Sequence, residues 1–405
     1  MKIGIIKEGK IPHEDRTPFS PSQCRQMQHE PFSNTVLVQS YKYRCYSDEE
    51  YRKAGLNIEN NVDECDVFFG VKEVPIDLLI PGKTYFCFSH TIKKQEHNRT
   101  LLQEILKRKI RLIDYELITD DNGRRLTAFG KFAGICGAYN SIWTYGRRTG
   151  LFTLPRLKEY KHYHDVLPVY KQIQWPPMKI VLTGHGRVGK GAIQVLADMG
   201  FTQVSPSDFL KIKKTDQPIF TALSSADYIR PIDSNKAFQK SEYYANPKHF
   251  RSDFLPYLAI ADIFINGIYW DIRAPKYFEL SDISRPDFNV SVIGDITCDI
   301  APHASVPTTF RASSIDDPVY GVSRKTLSET KAYESDSVDI MAIDNVANEL
   351  PRDASKYFGD RLLKYIIPEL NNMDNSPIIQ RAMITENGKL KENFMYLNDY
   401  VHGRE

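Results

Sequence analysis

Residues 178–200 read MKIVLTGHGRVGKGAIQVLADMG. The stretch KIVLTG is apolar enough for a buried strand and ends in Gly184. G-H-G-R-V-G-K-G follows, and AIQVLADMG then has the spacing of an amphipathic helix, with Gly200 as its stop. A strand, a G-x-G-x-x-G turn and a helix in that order predict a dinucleotide-binding unit. Gly184 permits the tight turn, Gly186 has no Cβ and lets the backbone approach a pyrophosphate, and Gly189 lets helix and strand pack closely. The helix N-terminus offers unpaired N–H donors and a positive dipole end. Gly184, Gly186, Arg187, Val188 and Gly189 are therefore the expected cradle of a nicotinamide dinucleotide. An acidic residue about 20 positions on would bond the adenosine ribose. Asp208 falls near that spacing, within V-S-P-S-D-F-L-K. The serines and following lysines suit the 2′-phosphate of NADP(H) at least as well as the free ribose of NAD(H).

The turn sits in mid-chain, so a second α/β region must precede it. KIGIIKE, TVLVQS, DVFFGVKE, TYFCFSH and IRLIDYE are strand candidates, and SPSQCRQMQ and LLQEILKRK are helix candidates, the first entered through Ser20 with Pro21 in its first turn. Such alternation predicts an α/β fold with parallel sheets. The expected layout is two Rossmann-like domains with parallel twisted sheets and an interdomain active-site cleft. Residues 1–134, completed by 341–405, form the substrate domain, and residues 135–340 form the dinucleotide-binding domain. Residues 132–150 read as a buried helix, and residues 151–177, rich in Tyr, His, Lys and Pro, as a linker or surface excursion.

Composition narrows the function. Hydrophobic residues make up 41% of the 405 positions, enough for real cores, and the formal net charge is only +2. That balance speaks against a nucleic-acid binder. MKIGIIKEGK does not read as a signal peptide, and no stretch reaches the roughly 20 apolar residues of a membrane span. Six cysteines without CxxC spacing read as reduced thiols in a cytoplasmic protein, with no metal site.

Strand ends carry the chemistry. Lys72 and Glu73 follow one apolar run, His90 another and Glu116 a third. In an open parallel sheet the carboxyl ends of the strands line the ligand crevice. Burial lowers a lysine pKa and histidine titrates near neutrality, so Lys72 and His90 can exchange protons with a substrate. Arg16 and Arg125 are candidates for gripping carboxylates bidentately, which suits an amino-acid or dicarboxylate substrate.

These residues also carry a resemblance. KEGK at 7–10, Arg16, GVKE at 70–73, FSHTIKKQE at 88–96, GRRLTAFG at 123–130, the glycine turn, FINGIYW at 264–270, GDITCD at 294–299, AIDN at 342–345 and ITENG at 384–388 occur in this order. Together they resemble the saccharopine dehydrogenase and alanine dehydrogenase/transhydrogenase superfamily. The resemblance is nearest to the lysine–ketoglutarate reductase domain of the bifunctional aminoadipic semialdehyde synthases. It implies that Lys72 and His90 are an acid–base pair, tuned by Glu73 and Glu116. It further implies that Arg16, Arg125 and Asp344 bind substrate, and that Asp299 lies near the nicotinamide. The reaction it implies is reductive condensation of L-lysine with 2-oxoglutarate to saccharopine. The saccharopine-cleaving domain of the bifunctional enzymes is not expected in a chain that ends at Glu405, and 151–177 and 284–292 look shorter than in that domain. Two alternatives stay open: an alanine dehydrogenase-like or other opine-type enzyme, and a non-catalytic dinucleotide-binding sensor. Small-molecule substrates and a monomer or small homo-oligomer are expected, without nucleic acid or membrane.

Overall fold

The computed structural model describes residues 1–29 and 31–404. The chain folds into two units. Unit 1 is Met1–Phe129 with Pro351–Glu405, and unit 2 is Gly130–Leu350. Position 134 lies four residues inside the first helix of unit 2, and position 340 lies within one of its strands.

Unit 1 opens with β1 (Lys2–Ile5), β2 (Thr35–Gln39), β3 (Asn57–Glu59), β4 (Val67–Phe69), β5 (Thr84–Cys87) and β6 (Arg111–Asp114). Their spatial order is β6-β5-β4-β1-β2-β3, all parallel, and the late hairpin Met383–Glu386 with Lys389–Leu390 extends the sheet antiparallel beside β6. Central strands such as β4 and β5 are buried throughout, the pattern of a sheet covered on both faces. Helix Pro21–Gln28, with Pro21 as its first residue, and helix Pro351–Tyr365 cover one face. Helix Glu96–Lys107 and the C-terminal Phe394, Leu397 and Tyr400 pack with the core of the other face. The chain leaves β1 in one direction to β2 and returns on its other side as β4. The topological switch point, where doubly wound sheets bind ligands, is therefore between β1 and β4.

Unit 2 begins with helix Gly130–Thr149, which matches the buried helix expected at 132–150. Residues 151–177 are not the linker or surface excursion expected. Leu157, Tyr163 and Tyr170 are buried on short helical turns, and Phe152, Leu154 and Val166 are buried beside them, so much of the apolar content is core material. Then come β7 (Lys179–Thr183), β8 (Thr202–Gln203), β9 (Ile219–Leu223), β10 (Ile229–Pro231), β11 (Phe250–Ser252), β12 (Ile263–Asn266), β13 (Val292–Asp295), β14 (Val319–Ser323), β15 (Glu329–Thr330) and β16 (Ser337–Met341). The large sheet runs β15-β14-β16-β13-β12-β7-β9-β8, parallel except that β14 runs antiparallel to its neighbours β16 and β15, while β10 and β11 form a separate ribbon. Both sheets are thus mainly parallel with covering helices, as the alternation of the sequence predicts. No described helix is long and apolar enough to cross a membrane.

Glycines set the spacing of unit 2. A Cβ at Gly134 would lie 1.9 Å from the Val188 carbonyl oxygen, and one at Gly191 would lie 2.1 Å from that of Lys131. Helices Gly130–Thr149 and Arg187–Asp198 therefore meet backbone to backbone.

Candidate functional site

Unit 1 concentrates its charge at the switch point. The Glu8 carboxylate, just past β1, accepts the backbone N–H of Val71 at 2.6 Å and of Lys72 at 2.9 Å, stapling the end of β4 to the end of β1. Lys72 forms no ion pair among the described residues. Burial, with Arg16 and Lys10 nearby, lowers its pKa to about 8 against the pull of Glu14 and Glu73. Burial and the charge of Glu14 push Glu8 up to about 7. Glu73 accepts a short hydrogen bond from His90 Nδ1. Burial would raise the Glu73 carboxyl, but the His90 bond and charge hold it below the usual carboxylate range.

The sequence around His90 explains its placement. Ser89 donates through both its N–H (3.0 Å) and its hydroxyl (2.5 Å) to the buried Asp114 at the end of β6. The other Asp114 oxygen accepts the Glu116 N–H at 2.8 Å. One buried carboxylate thus fixes the strand ends that carry His90 and Glu116. His90 itself sits at φ 52°, a left-handed conformation that costs a non-glycine residue about 1 kcal/mol. Held there, its ring stacks on Phe88, 6.5 Å centre to centre. Arg125 lies against the same Phe88 ring at 5.4 Å and 3.8 Å from Glu116, which also pairs with Lys93 at 3.4 Å. Lys72, Glu73, His90, Glu116 and Arg125 therefore share the carboxyl edge of one sheet.

Arg16 is buried against an acidic neighbour. Its Nε and Nη2 both bond the buried Glu14 carboxylate at 2.7 Å, and its guanidinium covers Phe129 at 4.1 Å. Glu14 thus occupies the Nε–Nη2 edge of the guanidinium. Glu8 and Glu14 are residues that sequence reading missed. The signal was present for Glu8, an acid directly after an apolar strand, but nothing in a single sequence pairs Glu14 with Arg16.

Unit 2 carries the glycine turn. Gly184 sits at φ +101°, and a Cβ on it would lie 2.5 Å from the Gly267 carbonyl oxygen, where the loops after β7 and β12 meet. A Cβ on Gly189 would fall 1.9 Å from the Gly184 oxygen, so strand and helix can close only over a glycine. A Cβ on Gly186 would meet nothing within 4 Å, which leaves the N-terminal side of helix Arg187–Asp198 open to a ligand. Gly200, at φ +83°, ends that helix with its N–H on the Ala197 carbonyl at 2.9 Å. A cleft of about 740 Å³ opens here, with Gly184, Gly186, Ser224, Ser225, Tyr243 and Gly267 in its wall. These features fit a dinucleotide: an open helix N-terminus, backbone without side chains and an aromatic wall.

Asp208 does not line this cleft. It belongs to helix Pro206–Lys211, where its carboxylate accepts the Ser205 hydroxyl at 2.6 Å and pairs with Lys211 at 3.5 Å. The physical reason is strand order: β8 is an exposed edge strand outside β9, so the helix after it starts one strand away from the turn. Asp299 is half-buried in the loop after β13, and Asp344 is exposed after β16. Both raise the pKa of Cys298, after its burial and Asp295. Asp344 thus lies in unit 2, whereas Arg16 and Arg125 lie in unit 1. No group of residues that could hold a metal ion occurs among the described residues.

One mainly parallel sheet thus carries the glycine turn, and the other carries Lys72, Glu73 and His90 at the carboxyl ends of its strands. Residues 4–136 match the family model "Alanine dehydrogenase/PNT, N-terminal domain". Over 98% of its length the chain is 29% identical to alpha-aminoadipic semialdehyde synthase of Arabidopsis thaliana, and over its whole length it is 28% identical to the mitochondrial enzyme of that name from Mus musculus. It spans 41% and 48% of those two proteins, less than half of each. It is 25% identical to the saccharopine dehydrogenase (NAD(+), L-lysine-forming) of Yarrowia lipolytica, covering 94% of this chain and 95% of that one. Among solved structures, an L-alanine dehydrogenase superposes with a TM-score of 0.68 at 18% identity, covering 99% of this chain and all of the other. The transhydrogenase from Sinorhizobium meliloti superposes with a TM-score of 0.59 at 14% identity, covering 96% and 98%. These likenesses bear out the α/β fold and the superfamily resemblance read from the motifs.

Proposed function

We propose that the chain is a nicotinamide-dependent oxidoreductase acting on a CH–NH bond, and that it joins L-lysine to 2-oxoglutarate to give saccharopine. The observation that carries this reading is the Lys72–Glu73–His90 group at the switch point of unit 1, with Lys72 lowered to about 8. Relatives named as aminoadipic semialdehyde synthases and saccharopine dehydrogenases support the choice of substrates.

Gly184, Gly186, Arg187, Val188 and Gly189 would hold the dinucleotide pyrophosphate, with Asp299 toward the nicotinamide. When bound, NADP(H) or NAD(H) supplies the hydride. Everything else is proton transfer and positioning. A lysine amine attacks a keto carbon only when neutral, so a base must take its proton. With a pKa of about 8, Lys72 is neutral and able to accept that proton in a fraction that grows as pH rises toward 8. Loss of water from the carbinolamine then needs an acid, and His90, oriented by Glu73, donates it. Arg125 takes a substrate carboxylate, and Glu116 holds Arg125 and balances its charge; Asp344 is kept as a substrate-binding residue of the proposal. Arg16 holds Glu14 and, by its own charge, adds to the burial that lowers Lys72.

The test is a cofactor-oxidation screen of amino acids against 2-oxo acids, with both NADPH and NADH. L-Lysine with 2-oxoglutarate is expected to drive oxidation. Oxidation with pyruvate plus ammonia but not with lysine would overturn the proposal in favour of an alanine dehydrogenase-like enzyme. Dinucleotide binding without turnover for any pair would overturn it in favour of a sensor.

A further inference from the structure

Parallel strands are normally joined by a crossover of about a dozen residues or more, most often a helix that covers the sheet. Between β3 and β4 the chain has only residues 60–66, too few for a covering helix. Val62 and Cys65 of this segment pack into the core on the same face as helix Glu96–Lys107. Beside them a cavity of about 490 Å³ stays open in unit 1. Ile6, Val62, Phe68, Val74, Leu79 and Tyr85 give it an apolar lining.

Its walls are fixed by hydrogen bonds. The Tyr85 hydroxyl accepts the Ile80 N–H at 2.9 Å and donates to the Leu78 carbonyl at 3.3 Å, while Arg108 donates to the Leu79 carbonyl at 2.6 Å. Gln39 accepts the Lys7 N–H at 3.1 Å and donates to the Asn60 carbonyl at 3.2 Å. A preformed apolar cavity with a few polar groups is the usual form of a small-molecule site.

The charges in the lining narrow the ligand. Lys7, Asp63 and Asp77 all line the cavity. Asp63 already accepts the Asn61 amide at 2.9 Å. The half-buried Lys7 ammonium and the exposed Asp77 carboxylate make no hydrogen bond or ion pair among the described residues. An ammonium and a carboxylate that share an apolar cavity without pairing complement a zwitterion with an apolar body. None of Lys72, Glu73, His90, Glu116 and Arg125 lines this cavity. It is nevertheless tied to them through the backbone. Lys7 precedes Glu8, which accepts the N–H groups of Val71 and Lys72, and Val74 follows Glu73.

We infer that this cavity is a second, non-catalytic site for an α-amino acid with an apolar side chain. Lys7 takes the ligand's carboxylate, Asp77 takes its ammonium, and an occupant stiffens the Glu8 staple. The site goes beyond the proposed reaction and does not depend on it.

Calorimetric titration of the whole chain with L-leucine is expected to show one saturable site. The analogues 4-methylpentanoate, which lacks the amine, and 3-methylbutylamine, which lacks the carboxylate, are expected to bind about tenfold more weakly or worse, the scale of a lost charge-assisted hydrogen bond. Lys7→Met and Asp77→Asn are each expected to weaken L-leucine by about the same factor, and Lys72→Met to leave its affinity unchanged. Amide exchange at Val71 and Lys72 is expected to slow about threefold on saturation with L-leucine, in the wild type but in neither cavity variant. No binding of L-leucine, or binding unchanged in both cavity variants, would overturn the site. Binding lost in Lys72→Met but kept in the cavity variants would assign the ligand to the catalytic edge and overturn it as well. Binding without any change in exchange at Val71 and Lys72 would overturn the link to Glu8. None of these readouts depends on turnover, so each outcome leaves the proposed reaction untouched.

Discussion

Replacing Lys72 by methionine should make unit 1 more stable at neutral pH while removing activity. The magnitude follows from burial. The ordinary lysine pKa of 10.5 is lowered to about 8 in the folded chain, chiefly by desolvation. At about 1.4 kcal/mol per pKa step, the charged form is disfavoured by about 3 kcal/mol. The folded state therefore binds fewer protons than the unfolded one between pH 8 and 10.5. Stability contributed by this site is present above 10.5, lost as pH falls through 8, and fully absent at pH 7. Lys72→Met removes the penalty while keeping most of the volume. Urea unfolding of wild type and variant, followed by a signal from unit 1, should show a gain of up to about 3 kcal/mol at pH 7 that shrinks toward pH 10. Oxidation of NADPH with lysine and 2-oxoglutarate should fall by about two orders of magnitude or more, the scale of a lost general base. A variant that is destabilised at pH 7, or whose stability difference does not change with pH, would refute the argument that Lys72 is held in a desolvated, functionally strained state.

Other outcomes follow from the same geometry. Glu73→Gln should lower turnover at least tenfold with little change in dinucleotide affinity, because His90 loses the carboxylate that orients it; an unchanged pH–rate profile would contradict this. Gly189→Ala should destabilise unit 2 by about 2 kcal/mol, since its Cβ would sit 1.9 Å from a backbone oxygen. Gly186→Ala should fold normally yet weaken dinucleotide binding, and calorimetry on both variants separates the effects. The folded pKa of Glu8, about 7 against 4.5, means that its contribution to stability is present below pH 4.5 and lost as pH rises through 7. Glu8→Gln should flatten that slope in unfolding curves measured from pH 4.5 to 7.5.

The glycine turn was the most legible element because its physics is local: Gly184 and Gly189 are required by atoms a few residues away. The strands were legible because parallel sheets bury continuous apolar runs. Lys72, Glu73, His90 and Glu116 stood out as candidates because each follows such a run. Asp208 was misjudged because its relevance depends on strand order. A spacing of 20 residues does not reveal that β8 is an edge and that β9 pairs with β7. Residues 151–177 looked like a linker because Tyr, His and Pro read as surface when taken singly, although the tyrosines pack inward. The Glu14–Arg16 pair is not legible in sequence, because only the fold brings Nε and Nη2 onto one carboxylate.

The central claim is that hydride reaches a carbon that has just received an amine. The most direct measurement is mass spectrometry of the product formed from L-lysine, 2-oxoglutarate and NADPH deuterated at nicotinamide C4. The account predicts saccharopine carrying one deuterium on the carbon that was C2 of 2-oxoglutarate, and none in reactions of Lys72→Met. Deuterated alanine from pyruvate and ammonia, with no labelled saccharopine, would contradict it.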